Sequence, residues 1–458
     1  MQLVLNAVVP VQERVMKKYE IVINYIQDLI DRKILMPGKS LPTIRFMVNE
    51  LSVNKSTVQR AYQELEKNHI IYSIPKSGYY LIDQESLGEI SNEVIDLARV
   101  VLEDRLLPYN EFNHSINKAI KLYTSNLFTY NDALGLLTLR EVLVEHLKLN
   151  QVFTDLKNIT VTSGTQQALH ILLNIEFPNG KNKILIEEPS YDLFIKSAKL
   201  SGSDLVSIPL SEEGIDLKRL EEIFKTEEIK FFYTMPRLHN PLGISYSEKD
   251  KQKIVELAHK YDVYIIEDDY LSDIDYSMKR LPLHYYDTHH KVIYLKSFSK
   301  VFMPGMRIGV GVLPKELVDD FSSYKEILDI STPLLSQGGL EVFIRSGMYD
   351  KHVKKIRTVY KKKMTFCKQL LYGLNTSKFN YHVPDTGFFI YIGCDALDIK
   401  ALVRLLNLKH IHVKSCESSY LNKEDIKNSM RLCVSGLTQD DISKSLKIVI
   451  DTMNELLC

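Results

Sequence analysis

The chain has 458 residues, 45% hydrophobic and 25% charged, the ordinary mix of a folded globular protein, which excludes a mainly disordered or collagen-like chain. Its 58 Lys/Arg balance 58 Asp/Glu, which excludes a uniformly basic surface, and at about 150 residues per domain the length excludes a single small domain. No run approaches the roughly 18 consecutive apolar residues of a membrane span, and the apolar start lacks the basic flank and cleavage site of a signal peptide, so a cytoplasmic protein without a membrane partner is expected. Five cysteines crowd into the last quarter without a CxxC pair, a pattern that predicts neither a disulfide framework nor a metal site.

Residues 13–83 hold 11 Lys/Arg against 8 Asp/Glu, a local excess of three positive charges in an otherwise balanced chain. Tyr19, Val22, Ile23, Ile26 and Ile30 recur every three or four residues and predict an amphipathic helix. Pro37 and Gly38 end the turn that follows. Ile44, Met47, Val48 and Leu51 predict a second helix, and after Ser52-Val53-Asn54 the residues Val58, Ala61, Tyr62 and Leu65 predict a third. Two short β-like runs, 70–72 and 79–82, flank a segment with Pro75 and Gly78 that suits a hairpin. Three helices and a hairpin make a winged helix-turn-helix.

In that motif the second helix of the pair enters the major groove. Its outward face here carries Lys55, Ser56, Thr57, Gln59 and Arg60, donors suited to phosphates and base edges. Thr43 and Arg45 start the preceding helix and can clamp the backbone, and Lys76 at the hairpin tip can reach the minor groove or a phosphate. Each alone is as well explained by a solvated helix face; together with the hairpin they favour double-stranded operator DNA as a partner.

The polar stretch from Asp83 to about Asn92 spans at most about 35 Å and reads, over 84–94, as a linker. From 95 to 458, apolar strand-like runs at 159–162, 183–186, 230–233, 263–266 and 292–295 alternate with amphipathic stretches such as 248–261, the pattern of an α/β domain with a mostly parallel sheet covered on both sides. A smaller C-terminal lobe is expected from about residue 335. Ligands in such folds sit beyond the carboxyl ends of the strands, so the residues after each run are the candidates.

A pyridoxal phosphate site needs an imine-forming lysine, an acid for the pyridine nitrogen, an aromatic plate and a phosphate cup. Lys300 lies in Ser297-Phe298-Ser299-Lys300, and a lysine of ordinary pKa, about 10.4, must be activated by burial or nearby cations before it can serve as a nucleophile. Arg307, seven residues on, can hold a dianionic phosphate with its forked guanidinium, helped by Ser297 and Ser299. Gly164 and Thr165 open a helix whose N–H groups can cradle the same phosphate. The acids Glu267-Asp268-Asp269 at a strand end require a cation nearby. Asp268 is assigned to the ring nitrogen, with Asp269 able to exchange roles, and Tyr270 to the ring hydroxyl. Tyr191 is the candidate plate, Asn240 a donor to the ring oxygen, and Arg431 a bidentate partner for an effector carboxylate. Taken singly, these are also an ordinary core tyrosine, a turn asparagine and a surface arginine.

Residues 15–82 resemble the GntR family of bacterial regulators through Leu41-Pro42-Thr43-Ile44-Arg45, the run from Lys55 to Leu65, and Ser77-Gly78-Tyr79; Asn68-His69 depart from that family's usual glycine. The order and spacing of the motifs after residue 95 resemble a fold-type-I, class I aminotransferase, and Tyr130, Gly135 and Leu139-Arg140 resemble that family's early motif, in which Tyr130 would reach the partner subunit's phosphate. The fusion of the two is similar to the MocR subfamily of GntR regulators. The resemblance implies a head-to-tail homodimer whose DNA binding responds to pyridoxal 5′-phosphate and an amino compound through external aldimine formation at Lys300. The alternative is a metabolic aminotransferase with a vestigial DNA-binding domain. Two departures leave the effector open: Thr234-Met235-Pro236-Arg237-Leu238-His239 replaces the Thr-Pro-Ser-His-Gln of many members, and Leu193 stands where some carry an arginine.

Overall fold

A computed structural model describes residues 17–36, 38–68, 70–74, 77–82, 94–275 and 280–457. It divides into two compact units, Met1–Asn92 and Glu93–Cys458. Lys76, His69, Pro37 and nearly all of the linker lie outside the described residues.

The first unit consists of α1 (Lys18–Asp31), α2 (Ile44–Leu51), α3 (Lys55–Lys67) and the antiparallel strands β1 (Ile71–Ile74) and β2 (Gly78–Leu81). The three- and four-residue spacing places Val22, Ile26, Met47, Val58, Ala61 and Leu65 in one core, closed by Ile71 and Leu81. The Thr43 hydroxyl caps α2 by accepting from the Phe46 N–H at 3.2 Å, and Ser52 turns the chain at φ 50° into the short link before α3. Asn68 closes α3 at φ −87°, a conformation that needs no glycine.

The second unit begins with β3 (Ile95–Asp96), α4 (Tyr109–Tyr123) and α5 (Leu137–Leu149). It continues through β4 (Ile159–Thr162), α6 (Thr165–Asn174), β5 (Lys183–Glu188), α7 (Asp192–Leu200), β6 (Leu205–Ser211), β7 (Gly214–Ile215), α8 (Leu217–Thr226), β8 (Ile229–Thr234), α9 (Glu248–Lys260) and β9 (Tyr264–Asp268). Then come α10 (Leu283–Tyr286), β10 (Val292–Ser297), β11 (Gly309–Val312), α11 (Val318–Asp329), α12 (Leu334–Arg345) and α13 (Met348–Tyr372). Among the described residues β4 to β11 form an eight-stranded sheet in the order β4-β11-β10-β9-β8-β5-β6-β7, parallel except where β11 and β7 run against their neighbours. Successive residues of a strand serve opposite faces: Ile184 and Ile186 enter one core and Leu185 the other, as do Phe231 and Tyr233 against Phe232. Both faces are apolar, so the strands read as continuous apolar runs.

A four-stranded antiparallel sheet follows, β12 (Asn380–His382), β13 (Phe389–Gly393), β16 (Ser429–Cys433) and β15 (Lys414–Ser415) in spatial order, with β14 (Ile411–His412) pairing β3, and with α14 (Ile399–Leu408) and α15 (Gln439–Leu456). Helix α13 runs from one core of this unit to the other. Leu340, Phe343, Tyr349 and Ile356 belong to the large core, while Met364, Cys367 and Leu371 belong to the small one, which also takes in Leu97 from the start of the unit. One long amphipathic helix serves both cores, so its periodicity carries no boundary mark. Among the described residues no helix is long and apolar enough to cross a membrane.

Candidate functional site

The sheet brings its strand ends together at one cavity of about 200 Å³. Asp268 ends β9 and Ser297 ends β10, with Lys300 three residues beyond; Asn240 follows β8, Tyr191 follows β5, and Thr165 opens α6 after β4. All six line the cavity together with Tyr270 and Arg431.

The acid run after Ile266 divides its roles. Asp269 turns away from the cavity and is held by Arg237, whose Nε donates at 3.1 Å and whose Nη2 donates to the second oxygen, and by the Tyr294 hydroxyl at 2.7 Å. Glu267 accepts the backbone N–H groups of Leu283 and His284, both at 2.9 Å. Asp268 alone faces the cavity. Its Oδ2 accepts from the Tyr233 hydroxyl at 2.9 Å, and its Oδ1 is buried without a protein partner. Burial, with the Asp269 charge, pushes Asp268 up to about 7, against the Tyr233 hydrogen bond and the Lys300 charge. Asp269 is already paired with Arg237, and Asp268 is the acid of the run that lines the cavity. Tyr233, which nothing in the sequence spacing singled out, holds Asp268 from the neighbouring strand. Arg237, one of the departures from the resemblance, is a buried structural cation and takes no part in lining the cavity.

Lys300 is pushed below its ordinary value by burial first, with the Arg431 and Arg307 charges adding to this and Cys433 and Asp268 opposing it. That is the direction that yields a neutral, nucleophilic amine. Tyr191 is half-buried at the start of α7, its hydroxyl pushed up to about 12 by burial and by the Asp268 and Asp192 charges. The Tyr270 hydroxyl donates to the Leu238 carbonyl at 2.6 Å, which leaves its oxygen to act as an acceptor.

Gly164, Ser299 and Arg307 do not line this cavity, but their neighbours Thr165 and Ser297 do. Gly164 sits at φ 78° as the N-cap of α6, and a Cβ there would lie 2.7 Å from Arg307 Nη2. Gly309 lies so close under the same turn that a Cβ would be 2.6 Å from the Thr165 nitrogen. Arg307, at φ 52°, is exposed and donates weakly to the Ser163 carbonyl at 3.4 Å. A forked cation and a helix N-terminus with free N–H groups thus meet at one point, and the Ser299 hydroxyl is buried without a partner. Tyr130 is 84% exposed and does not line the cavity of its own chain.

Arg431 stands on β16 with its guanidinium 4.3 Å above the Phe389 ring. Nη1 donates to Asn240 Oδ1 at 3.1 Å, Nη2 to the Ala98 carbonyl at 2.6 Å, and Nε has no partner. Asn240 therefore spends its oxygen on Arg431 and has its NH₂ to offer a ligand. No carboxylate of the described residues lies within ion-pair distance of this buried cation.

In the first unit Thr43, Arg45, Lys55, Ser77 and Gly78 surround one concave surface of about 650 Å³, which joins the starts of α2 and α3 to the wing. Ser56, Gln59 and Arg60 are exposed and Thr57 is half-buried. Arg60 stacks its guanidinium 4.5 Å from the Tyr19 ring of α1, a packing contact that the helix-face reading missed.

Residues 18–81 match the family "Bacterial regulatory proteins, gntR family", and residues 102–449 match "Aminotransferase class I and II". An HTH-type transcriptional regulator of Bacillus subtilis, YcxD, is 40% identical over 95% of this chain and 99% of its own length. The chain is a MocR-type regulator of the GntR family. NorG, an HTH-type transcriptional regulator of Staphylococcus aureus, is 25% identical over 89% of this chain and 97% of its own. The kynurenine aminotransferase of Pyrococcus horikoshii, solved in complex with PMP, superimposes with a TM-score of 0.75 at 26% identity, covering 80% of this chain and 92% of that one.

The cofactor of this family's fold is pyridoxal 5′-phosphate, and the MocR cavity fits it on three observations. Asp268 Oδ1 is a buried acceptor without a donor, as a protonated pyridine nitrogen requires. The Ser299 hydroxyl, two residues after Ser297 of the lining, is likewise buried without a partner. Gly164 leaves bare the surface that a side chain would fill against Arg307.

Proposed function

We propose that this regulator reads an amino compound at the Lys300 cavity and transmits its presence to the winged helix, changing operator affinity. The observation that carries the reading is the pairing, in one cavity, of a desolvated lysine beside an unsatisfied carboxylate with a buried arginine that has no anion of its own. Lys300 would anchor the cofactor, Asp268 hold its ring nitrogen, Tyr191 cover the ring, Asn240 and Tyr270 meet its oxygen, and Gly164, Thr165, Ser297, Ser299 and Arg307 hold its phosphate. When bound, the cofactor supplies an electrophilic carbon that takes up a primary amine.

The protein's own groups do the rest. Lys300, poised by burial to shed its proton, would hold the cofactor and be the group able to take up a proton when a primary amine binds. Arg431 meets the carboxylate of the amino compound and gives up contacts to Ala98 or Asn240 to do so. It stands on the small lobe, so this exchange couples ligand to lobe position, by no more than the ligand's differential affinity for the two placements. Replacing Lys300 by Ala should abolish any amino-acid effect on operator binding at fixed salt; a response equal to wild type would falsify the reading.

The reading extends to a cytoplasmic, head-to-tail homodimer. Leu122, Phe128, Tyr130 and Leu137 are four large apolar side chains exposed within sixteen residues, as a subunit interface would require. Sedimentation should give twice the chain mass. The metabolic alternative is favoured by the completeness of the lysine, acid and arginine set. Repeated turnover of amino acid with keto acid, together with salt-sensitive, sequence-blind DNA binding, would select it.

A further inference from the structure

A second cation, Lys414, lines the cavity. It lies on β15 directly opposite Arg431 of β16, in antiparallel register, so the two side chains share one face of the small sheet. Lys414 Nζ is 2.9 Å from Asp192 Oδ2 and is 36% exposed. The same carboxylate oxygen is 3.5 Å from Lys196 Nζ and 3.5 Å from the Ser418 hydroxyl. Asp192 is buried and lies at the start of α7, one residue after Tyr191 and one before Leu193. One negative charge is therefore shared by two lysines, and an anion taking Lys414 would leave Asp192 still paired through Lys196. No carboxylate of the described residues lies within ion-pair distance of Arg431, although Asp192 is near enough to feel its charge. On this wall the lining cations Arg431 and Lys414 thus face the single carboxylate Asp192, an excess of one positive charge, and Lys196, outside the lining, draws on that same carboxylate. Part of the rest of the lining, Val100, Leu193, Met235 and Phe389, is apolar and offers no hydrogen-bonding group to a neutral polar side chain.

Resting on the reading above, we infer that the effector is a dicarboxylic amino acid, one carboxylate held by Arg431 and the other by Lys414. Lys414 is then the residue that selects an acidic over a neutral side chain, in a position where the sequence carries no arginine after the plate tyrosine but Leu193. A charge-assisted hydrogen bond in a partly exposed position sets the scale of the preference at about tenfold.

The test is a titration of the cofactor-loaded full chain with L-aspartate, L-asparagine, L-glutamate and L-glutamine, each pair differing in little but charge. Cofactor absorbance and operator affinity are read in parallel. Wild type should favour one acid over its amide by about tenfold. Lys414→Met should bring that ratio to about one, and Asp192→Asn, which frees Lys414 from its own carboxylate, should raise it. Equal affinity for acid and amide in wild type, or a ratio that survives Lys414→Met, overturns the inference while leaving the amine reading in place. If no amino acid of any charge perturbs the cofactor absorbance, the amine reading itself falls and takes the inference with it.

Discussion

In the winged-helix unit the cations picked out by sequence, Arg45, Lys55 and Arg60, are exposed, and their surroundings are water and the edge of a small core. In the larger unit many charged groups are buried, and each of these is either paired or conspicuously short of a partner: Asp269 with Arg237, Asp273 with Lys296, Asp268 and Arg431 with polar atoms unsatisfied. Burial makes a charge informative, because an unpaired buried group is costly and its lack of a partner points to a ligand. Exposure makes a charge cheap, so its geometry says little about what it binds. The first unit's role rests on shape and on kinship, whereas the second's rests on its own chemistry.

The contrast breaks most sharply at Lys296. It is fully buried on β10, donates to Asp273 at 2.5 Å and to the Ser272 hydroxyl at 2.9 Å, and holds the Asp273 carboxyl down at about 2 against burial, with help from His146 and the Tyr349 hydroxyl. Lys296→Met should cost about 3–5 kcal/mol by stranding that carboxylate. Lys55→Ala, on the exposed helix, should change stability by no more than about 0.5 kcal/mol, while lowering DNA affinity and the salt slope by about one. Urea unfolding of the full chain, set beside DNA titrations at several salt concentrations, measures both. Similar stability costs for the two variants would end the comparison.

The same difference explains what could be read from sequence. The parallel strands were legible because both faces are buried, and the helix-turn-helix because its apolar spacing is regular from Val22 to Leu65. That Lys300 and Asp268 line one cavity was legible because each sits in a short motif at or just beyond a strand's carboxyl end. The pairing of Asp269 with Arg237 was not, since it joins residues 32 apart through a turn of no fixed period. Lys414 was missed because β15 has only two residues, too few to show which face a side chain takes. That α13 serves two cores was hidden by the helix's continuous amphipathicity.

A second way to sharpen the contrast is pH. Asp268 is raised to about 7 in the folded protein, so the native state binds more protons than the unfolded chain between the ordinary carboxyl value of 3.8 and about 7. Stability contributed by the protonated carboxyl is present below that window and is lost as pH rises through it, with a slope of at most about 1.4 kcal/mol per pH unit for one proton. Glu267, also raised to about 7 by burial and the Asp269 charge, adds the same sign, and the buried His146, lowered to about 4, adds the opposite. The difference between wild type and Asp268→Asn isolates the one group. The cofactor-free variant should lose less stability between pH 4 and 7 than the cofactor-free wild type, and equal slopes would remove Asp268 as the poised acid.

The phosphate cup should respond to Gly164→Ala. The left-handed φ of 78° strains alanine, and its Cβ would displace the Arg307 guanidinium from 2.7 Å. Losing that charge-assisted contact should weaken retention of pyridoxal 5′-phosphate about ten- to a hundredfold in equilibrium dialysis. Operator binding by the cofactor-free variant should match that of cofactor-free wild type.

The smallest effect tests whether an exposed residue of the winged helix can be given a role as definite as a buried one. Thr43 lies on the concave surface between α2, α3 and the wing, but its hydroxyl oxygen is already committed to the Phe46 N–H as the cap of α2. A single substitution to alanine removes both functions and costs about 1 kcal/mol of helix stability. Asparagine caps at least as well, with an oxygen placed to accept the same N–H, so Thr43→Asn should restore the stability lost in Thr43→Ala. If operator affinity, measured well below the unfolding transition, returns with it, the residue acts by fixing the start of α2. If affinity stays low in both variants while stability recovers in one, the threonine hydroxyl itself donates to the phosphate backbone, and the exposed surface carries information that burial alone does not supply.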